Sequence, residues 1–208
     1  MQDLSLEMAK AVRRFEPIET EGLTLYPIQV KDIDEFTTAR PAIEFMQQSL
    51  PVAMLSKPLL QSYYTLELDA AKNGQPGSGL FYKCILFLLL AMRVGNGLPS
   101  EKRIELVDLE LQANDPTRLK SVLIFVNGEV KRITPMQFQR LRPILAAQNG
   151  IELVSENANP ELVQAERDLA EMNAPKLQYR VDALKATVAT FSGADESEME
   201  EWPILKLL

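Results

Sequence analysis

Residues 79–97, GLFYKCILFLLLAMRVGNG, form the most apolar stretch of the chain. Three fates are open to such a run: a membrane span, the core of a folded body, or a surface for an apolar partner. Its length separates them. Leu80 to Val94 is 15 residues, interrupted by Lys83 and Arg93. At about 1.5 Å of rise per residue this makes roughly 22 Å of helix, short of the roughly 30 Å hydrocarbon core of a bilayer. The flanks are helix boundaries: Ser78 can cap the start, and Gly95-Asn96-Gly97 offers a left-handed stop. Arg93 falls in the last turn, where its charge suits the helix dipole. Lys83 can extend its ammonium to water from near the first turn. Between these points the helix is apolar nearly all round, which predicts a central helix buried on most sides.

Ahead of this run the chain reads as helices with one strand. Asp3 to Arg14 fits a short amphipathic helix with Leu4, Met8 and Val12 on one side, ended by Pro17. Asp3 and Glu7 stand where a secretory signal would carry its positive charge and apolar region, so a signal peptide is not expected here. Leu23 to Val30 reads as a strand, and Pro27 places it at an edge. A helix then starts at Asp32 or Asp34 and carries Phe36, Ile43 and Met46, with a kink expected at Pro41. A further helix follows Pro58. Lys72–Gly79, KNGQPGSG, is the connector into the central helix.

Beyond Gly97 the period changes to that of strands. RIELVDLELQ, Arg103–Gln112, shifts its alternation between Leu106 and Val107, which suggests a bulge there. SVLIFVNGEVKRIT, Ser121–Thr134, is the clearest local signal: two β-rich runs flank Asn127-Gly128, the pair preferred in two-residue type I′ turns. VLIFV has no polar face and is expected to be a covered inner strand. Thr134-Pro135-Met136-Gln137 then forms a capping box with Pro at N1. Its helix turns Phe138, Leu141 and Leu145 inward, meets Pro143, where a kink or break is expected, and stops at Asn149-Gly150.

Asn159 caps another helix with the narrow apolar stripe Leu162, Ala165, Leu169 and Met172. The polar flanks of that helix suggest a soft boundary, with residues 1–154 as an α+β body and 155–208 as a C-terminal helical region that can still pack with it. The last part reads as a helix pair: VDALKATVATF, with Leu184, Val188 and Phe191 inward, then a second capping box at Ser197–Glu200 leading into EEWPILKLL. The second helix starts with Glu198, Glu200 and Glu201, a sequence that repels phosphate, so DNA reading by a helix-turn-helix is not expected. The expected fold is α+β, predominantly helical, with a small antiparallel sheet built on the Asn127-Gly128 hairpin and packed around the buried central helix.

Composition narrows function mainly by exclusion. The net charge of -7 and a pI of about 4.8 argue against nucleic acid as a partner. The chain has no histidine, which removes the commonest general base and metal ligand. No Ser-His or Cys-His pair can exist. Cys84, the single cysteine, sits in the apolar run and reads as a small buried hydrophobe. With no disulfide framework the chain fits an intracellular compartment. DESEMEE, Asp195–Glu201, holds five acids in seven residues, but an acidic helix start explains them. No catalytic, cofactor-binding or metal-ligating residue is assigned.

The C-terminus is the anomaly. EWPILKLL puts the only tryptophan beside Pro203, Ile204, Leu205, Leu207 and Leu208. Three explanations stand: a terminal helix docked on the body, a partner-binding tail, or an end that falls within a helix. As a tail, its contacts to a partner would be Trp202, Ile204, Leu205 and Leu208.

Four segments together resemble a family of phage and prophage tail-assembly chaperones from Gram-positive siphophage-like elements. They are LTLYPIQVKDIDEF (Leu23–Phe36), ITPMQFQRLRPILAAQNGI (Ile133–Ile151), ENANPELVQAERDLAEMNAPKL (Glu156–Leu177) and ESEMEEWPILKLL (Glu196–Leu208). The resemblance implies a non-enzymatic, cytoplasmic protein of the bacterial host cell. Such a protein keeps a long helical tape-measure protein soluble while tail tubes polymerise around it. The substantial middle β-section departs from the better-known members, and no family binding residues carry over. The alternatives are a structural virion component, such as a head–tail connector or tail accessory protein, and a small-molecule enzyme working without histidine.

Overall fold

The computed structural model describes residues 5–126, 128–153, 165 and 181–207. In chain order the first half contains α1 (Leu6–Arg13), β1 (Ile18–Thr20), β2 (Leu23–Leu25), α2 (Ile33–Glu44), α3 (Leu59–Lys72), α4 (Leu80–Ala91) and α5 (Ser100–Ile104). There follow β3 (Val107–Gln112), β4 (Asp115–Val126), β5 (Glu129–Ile133), α6 (Pro135–Gln148), α7 (Val181–Ser192), α8 (Glu196–Met199) and α9 (Ile204–Leu207). The fold is α+β with two small antiparallel sheets, β1-β2 and β3-β4-β5.

The apolar run is α4, and every residue from Cys84 to Ala91 is buried. Burying a Leu, Ile or Phe side chain is worth about 1.5–3 kcal/mol relative to exposure, so this one helix anchors the core. Phe87 meets Phe36 of α2 with ring centroids 5.9 Å apart, and α3 contributes the fully buried Leu59, Leu60 and Tyr63. Tyr63 donates its hydroxyl to the Ala42 carbonyl at 2.7 Å, satisfying the one polar group it brings inside. Ser78 accepts the amide of Leu80 at 3.2 Å, while Gly79 supplies the left-handed entry.

The exit of α4 differs from expectation. The helix stops at Ala91, and Arg93 lies past its end with φ 55. The Val94 amide donates to Leu89 O at 2.8 Å and the Arg93 amide to Leu90 O at 3.0 Å, the bond pair of a Schellman stop. Arg93 thus fills a position that usually goes to glycine, at a cost of roughly 1–2 kcal/mol for a left-handed side chain. Gly95 and Gly97 are also left-handed, but further along the loop.

The strand reading from Leu23 to Val30 is corrected. β2 ends at Leu25, and its partner β1 precedes it through a two-residue turn at Glu21-Gly22, both with positive φ. Residues 28–31 run on in extended and 3₁₀ form and pair with the C-terminus instead. Arg103, expected in a strand, lies in α5, and β3 begins at Val107. The bulge between Leu106 and Val107 is not there. The register shifts flank Leu111, after the regular pairing of Val107 to Glu110 with Ile124 to Ser121.

The hairpin expectation holds where it can be read. Val126 pairs with Glu129, which leaves a two-residue loop, and Gly128 has φ 82; Asn127 lies outside the described residues. β4 is the inner strand, with Val122 and Ile124 fully buried, and the sheet reaches the core through α3 and α6. The Thr134 capping box is present, with both reciprocal bonds. Pro143 does not split α6, which runs unbroken from Pro135 to Gln148, just as α2 runs through Pro41. The Asn159-capped helix and the boundary at 154/155 fall outside the described residues, as does Leu4 of the N-terminal stripe. Among the described residues no helix is long and apolar enough to cross a membrane.

Candidate functional site

The C-terminal segment is built from three short pieces. The cap of α8 is Asp195, which accepts the Ser197 amide at 3.0 Å, so the helix opens before the Ser197–Glu200 box that the sequence suggested. Pro203 then separates α8 from α9. The linking residues lie antiparallel along 28–31. The Lys31 amide donates to Glu200 O at 3.0 Å, the Val30 amide to Trp202 O at 2.8 Å, and the Ile204 amide to Ile28 O at 2.9 Å. Gln29 and Pro203 face each other as a bridge.

Side chains reinforce this strap. Gln29 donates through Nε2 to Glu201 O at 3.0 Å and to Glu201 Oε2 at 2.7 Å, and Lys31 Nζ donates to Glu201 Oε1 at 2.7 Å. The Lys31 bond, helped by Gln29 and the charge of Arg93, holds the Glu201 carboxyl below the usual carboxylate range. Lys185 of α7 pairs with Glu200. From the other side, Asn149 accepts the Ile28 amide on Oδ1 at 2.9 Å and donates to Leu145 O at 2.8 Å. The sequence marked Asn149 only as a helix stop.

The four expected contact residues have different surroundings. Ile204 is 1% exposed and belongs to the main core. Leu205 is half-buried against the bare backbone of Gly150. Trp202 is half-buried in a separate small cluster around Val30 and Met199, with Leu184, Val188, Ala189 and Ala194. Its ring carries the Lys206 ammonium 3.7 Å from the centroid. Leu208 lies outside the described residues, as does the side chain of Phe191. In this conformation the body itself covers Ile204 and partly covers Trp202 and Leu205.

No protein-family model, curated protein or solved structure matches the chain.

Other polar clusters are occupied by their own neighbours. Glu110 on the sheet accepts from Lys120 Nζ at 2.7 Å and Ser121 Oγ at 2.7 Å, with Arg132 Nε 3.1 Å away, and these contacts hold its carboxyl low. Arg103 is 2% exposed and donates to Asp32 Oδ1 at 2.6 Å and to Leu98 O at 3.0 Å. Among the described residues no group of three or more His, Cys, Asp or Glu side chains could hold a metal ion.

A cleft of about 500 Å³ lies between the β1-β2 hairpin, the stop of α4 and the β4-β5 end of the larger sheet. Its walls include Tyr26, Met92, Leu106 and Phe125, and its charged groups are Arg93 and Lys131. Nothing in the sequence pattern singled it out, because its residues come from four separate segments.

Proposed function

We propose that the protein is a non-enzymatic tail-assembly chaperone of a phage or prophage. It acts in the bacterial cytoplasm and holds an apolar helical partner, the tape-measure protein, in soluble form. The observation that carries this reading is the docked C-terminal segment. It is a segment with apolar side chains seated on the body by a few main-chain bonds, each worth about 1 kcal/mol net. Its Trp202 sits in a small cluster apart from the main core.

Such a segment can lift from the body and lend its own apolar side chains to a partner. An amphipathic helix laid against Met199, Trp202 and Ile204 meets the apolar contacts that the body otherwise supplies, in the manner of helix-in-groove recognition. The acidic body keeps the loaded complex in solution. The methionine side chain of Met199 adapts to varied shapes.

The test is co-expression with a phage tape-measure protein. The partner stays soluble with the full chain and loses that protection when Trp202 is replaced by Ser. Unchanged partner solubility in the presence and absence of the chain would overturn the reading. Recovery of the protein in purified particles would favour a structural virion component instead.

A further inference from the structure

We infer that the cleft beside the stop of α4 is a binding site for a small amphipathic carboxylate, with Arg93 holding the acid group. This inference is independent of the C-terminal segment. Arg93 occupies the left-handed position that ends α4, with φ 55. Glycine is the usual occupant there, because any side chain is strained in that conformation. Phe15 and Glu21 share this conformation, so it is the surroundings of Arg93 at the rim of the cleft that carry the assignment.

What Arg93 does is visible in its surroundings. Its guanidinium carbon lies 4.4 Å from the centroid of the Tyr26 ring. Tyr26 is fixed in turn, since its amide donates to Ala91 O at 2.7 Å, at the end of α4 itself. Among the described residues no carboxylate comes within ion-pair distance of Arg93. Glu201, the acid that feels its charge, is bonded to Lys31 and Gln29. A guanidinium steadied on an aromatic face, with its planar donor edge free, suits bidentate capture of a carboxylate.

The rest of the cleft completes an amphipathic site. Lys131 is a second cation on its wall, held by the exposed Glu129 two residues away at 2.8 Å. A surface pair of that kind is weak and gives way to a better-placed anion. No carboxylate lines the cleft. Phe125, 45% exposed, and the side chains of Leu106 and Met92 supply apolar walls. The volume of about 500 Å³ falls within the roughly 300–1,000 Å³ of small-molecule sites.

The probe is 4-phenylbutyrate, titrated by calorimetry into the full chain, with 4-phenylbutanol as the neutral analogue. The acid is expected to bind saturably and the alcohol at least about tenfold more weakly, the loss of one charge-assisted contact. Arg93→Gly suits the left-handed position, so it should keep or raise the melting temperature while weakening the acid at least about tenfold. Lys131→Met should weaken it by a smaller factor. The proposal is overturned if the wild-type chain shows no saturable binding up to about 10 mM. Equal binding of acid and alcohol, or full binding by Arg93→Gly, also overturns it. A marked drop in melting temperature for Arg93→Gly, with acid binding kept, would assign Arg93 to the Tyr26 contact alone.

Discussion

A Cβ placed on Gly150 would lie 2.6 Å from Cδ1 of Leu205. The last turn of the chain is therefore seated on bare backbone just past the end of α6, where Gly150 has φ +65. Gly150→Ala brings two costs to one place: roughly 1–2 kcal/mol for a left-handed side chain, and the overlap with Leu205. The overlap is with the end of the Leu205 side chain. The body at Gly150 is fixed by the stop of α6, so a shift of that side chain or of α9 relieves it. The C-terminal segment should loosen while the body stays folded. Trp202, the only tryptophan, reports it directly. Its emission should shift to the red with little change in far-UV circular dichroism. An unaltered Trp202 spectrum in Gly150→Ala would show that Leu205 does not hold the segment down.

Acid should loosen the same segment by another route. The folded state favours the charged form of Glu201 through Lys31 and Gln29, so its folded pKa lies below the ordinary carboxylate value. The docking strength contributed by that charge is complete above about pH 4.3 and drains away as pH falls through the lower folded value. A step in Trp202 emission is expected in that acid range. Glu201→Gln keeps a hydrogen-bonding shape without the charge and should flatten the step. High salt should weaken docking at neutral pH, since the Lys31–Glu201 pair is partly exposed. A step of equal size in Glu201→Gln would assign it to another carboxylate.

How far the sequence anticipated this arrangement follows the range of the forces involved. Local signals were legible: the Thr134 capping box, the two-residue loop between Val126 and Glu129, and a central helix from Leu80 that is too short for a bilayer. They depend on neighbours a few residues apart. Pairing between 28–31 and 200–204 was not legible, because it joins distant segments of which only the first shows any strand character. The amide of Ile28 finding Asn149, and Arg103 finding Asp32, are likewise contacts across long sequence separations. Strand periodicity was misread at Arg103, where charge alternates as it would along a half-buried strand. Its side chain is instead buried because Asp32 answers its charge. The cleft was invisible for the same reason, since Tyr26, Arg93, Leu106 and Lys131 meet only in the folded chain.

The Asp32–Arg103 pair should be costly to break from one side. Asp32 sits at the start of α2, yet its carboxylate makes no cap there and is used by Arg103. Asp32→Ala leaves a guanidinium buried with only carbonyl partners, a loss of about 3–5 kcal/mol by denaturant unfolding. The double variant Asp32→Leu with Arg103→Met removes both charges and should recover much of that loss. If the single and double variants are equally unstable, packing volume and not the unpaired charge sets the cost.

Cys84 offers the most direct measure of how firmly α4 is held. It is 0% exposed, and burial pushes its thiol well above the usual range, an effect only partly opposed by the charge of Arg142. Alkylation needs both access and thiolate, and the folded protein supplies neither. Iodoacetamide at mildly alkaline pH should leave the native chain unmodified and react readily once it is unfolded in denaturant. Residual labelling of the native chain then measures global opening. Leu88→Ala, in the same helix and fully buried, should destabilise by about 2–5 kcal/mol and speed labelling by the matching factor. In the unfolded chain the thiol ionises above about pH 8.5, while in the folded chain it stays protonated. Stability should therefore fall as pH rises past that value, and Cys84→Ala should remove this part of the decline. Rapid modification of the native protein, unaffected by Leu88→Ala, would mean that α4 opens on its own and is not the anchor of the core.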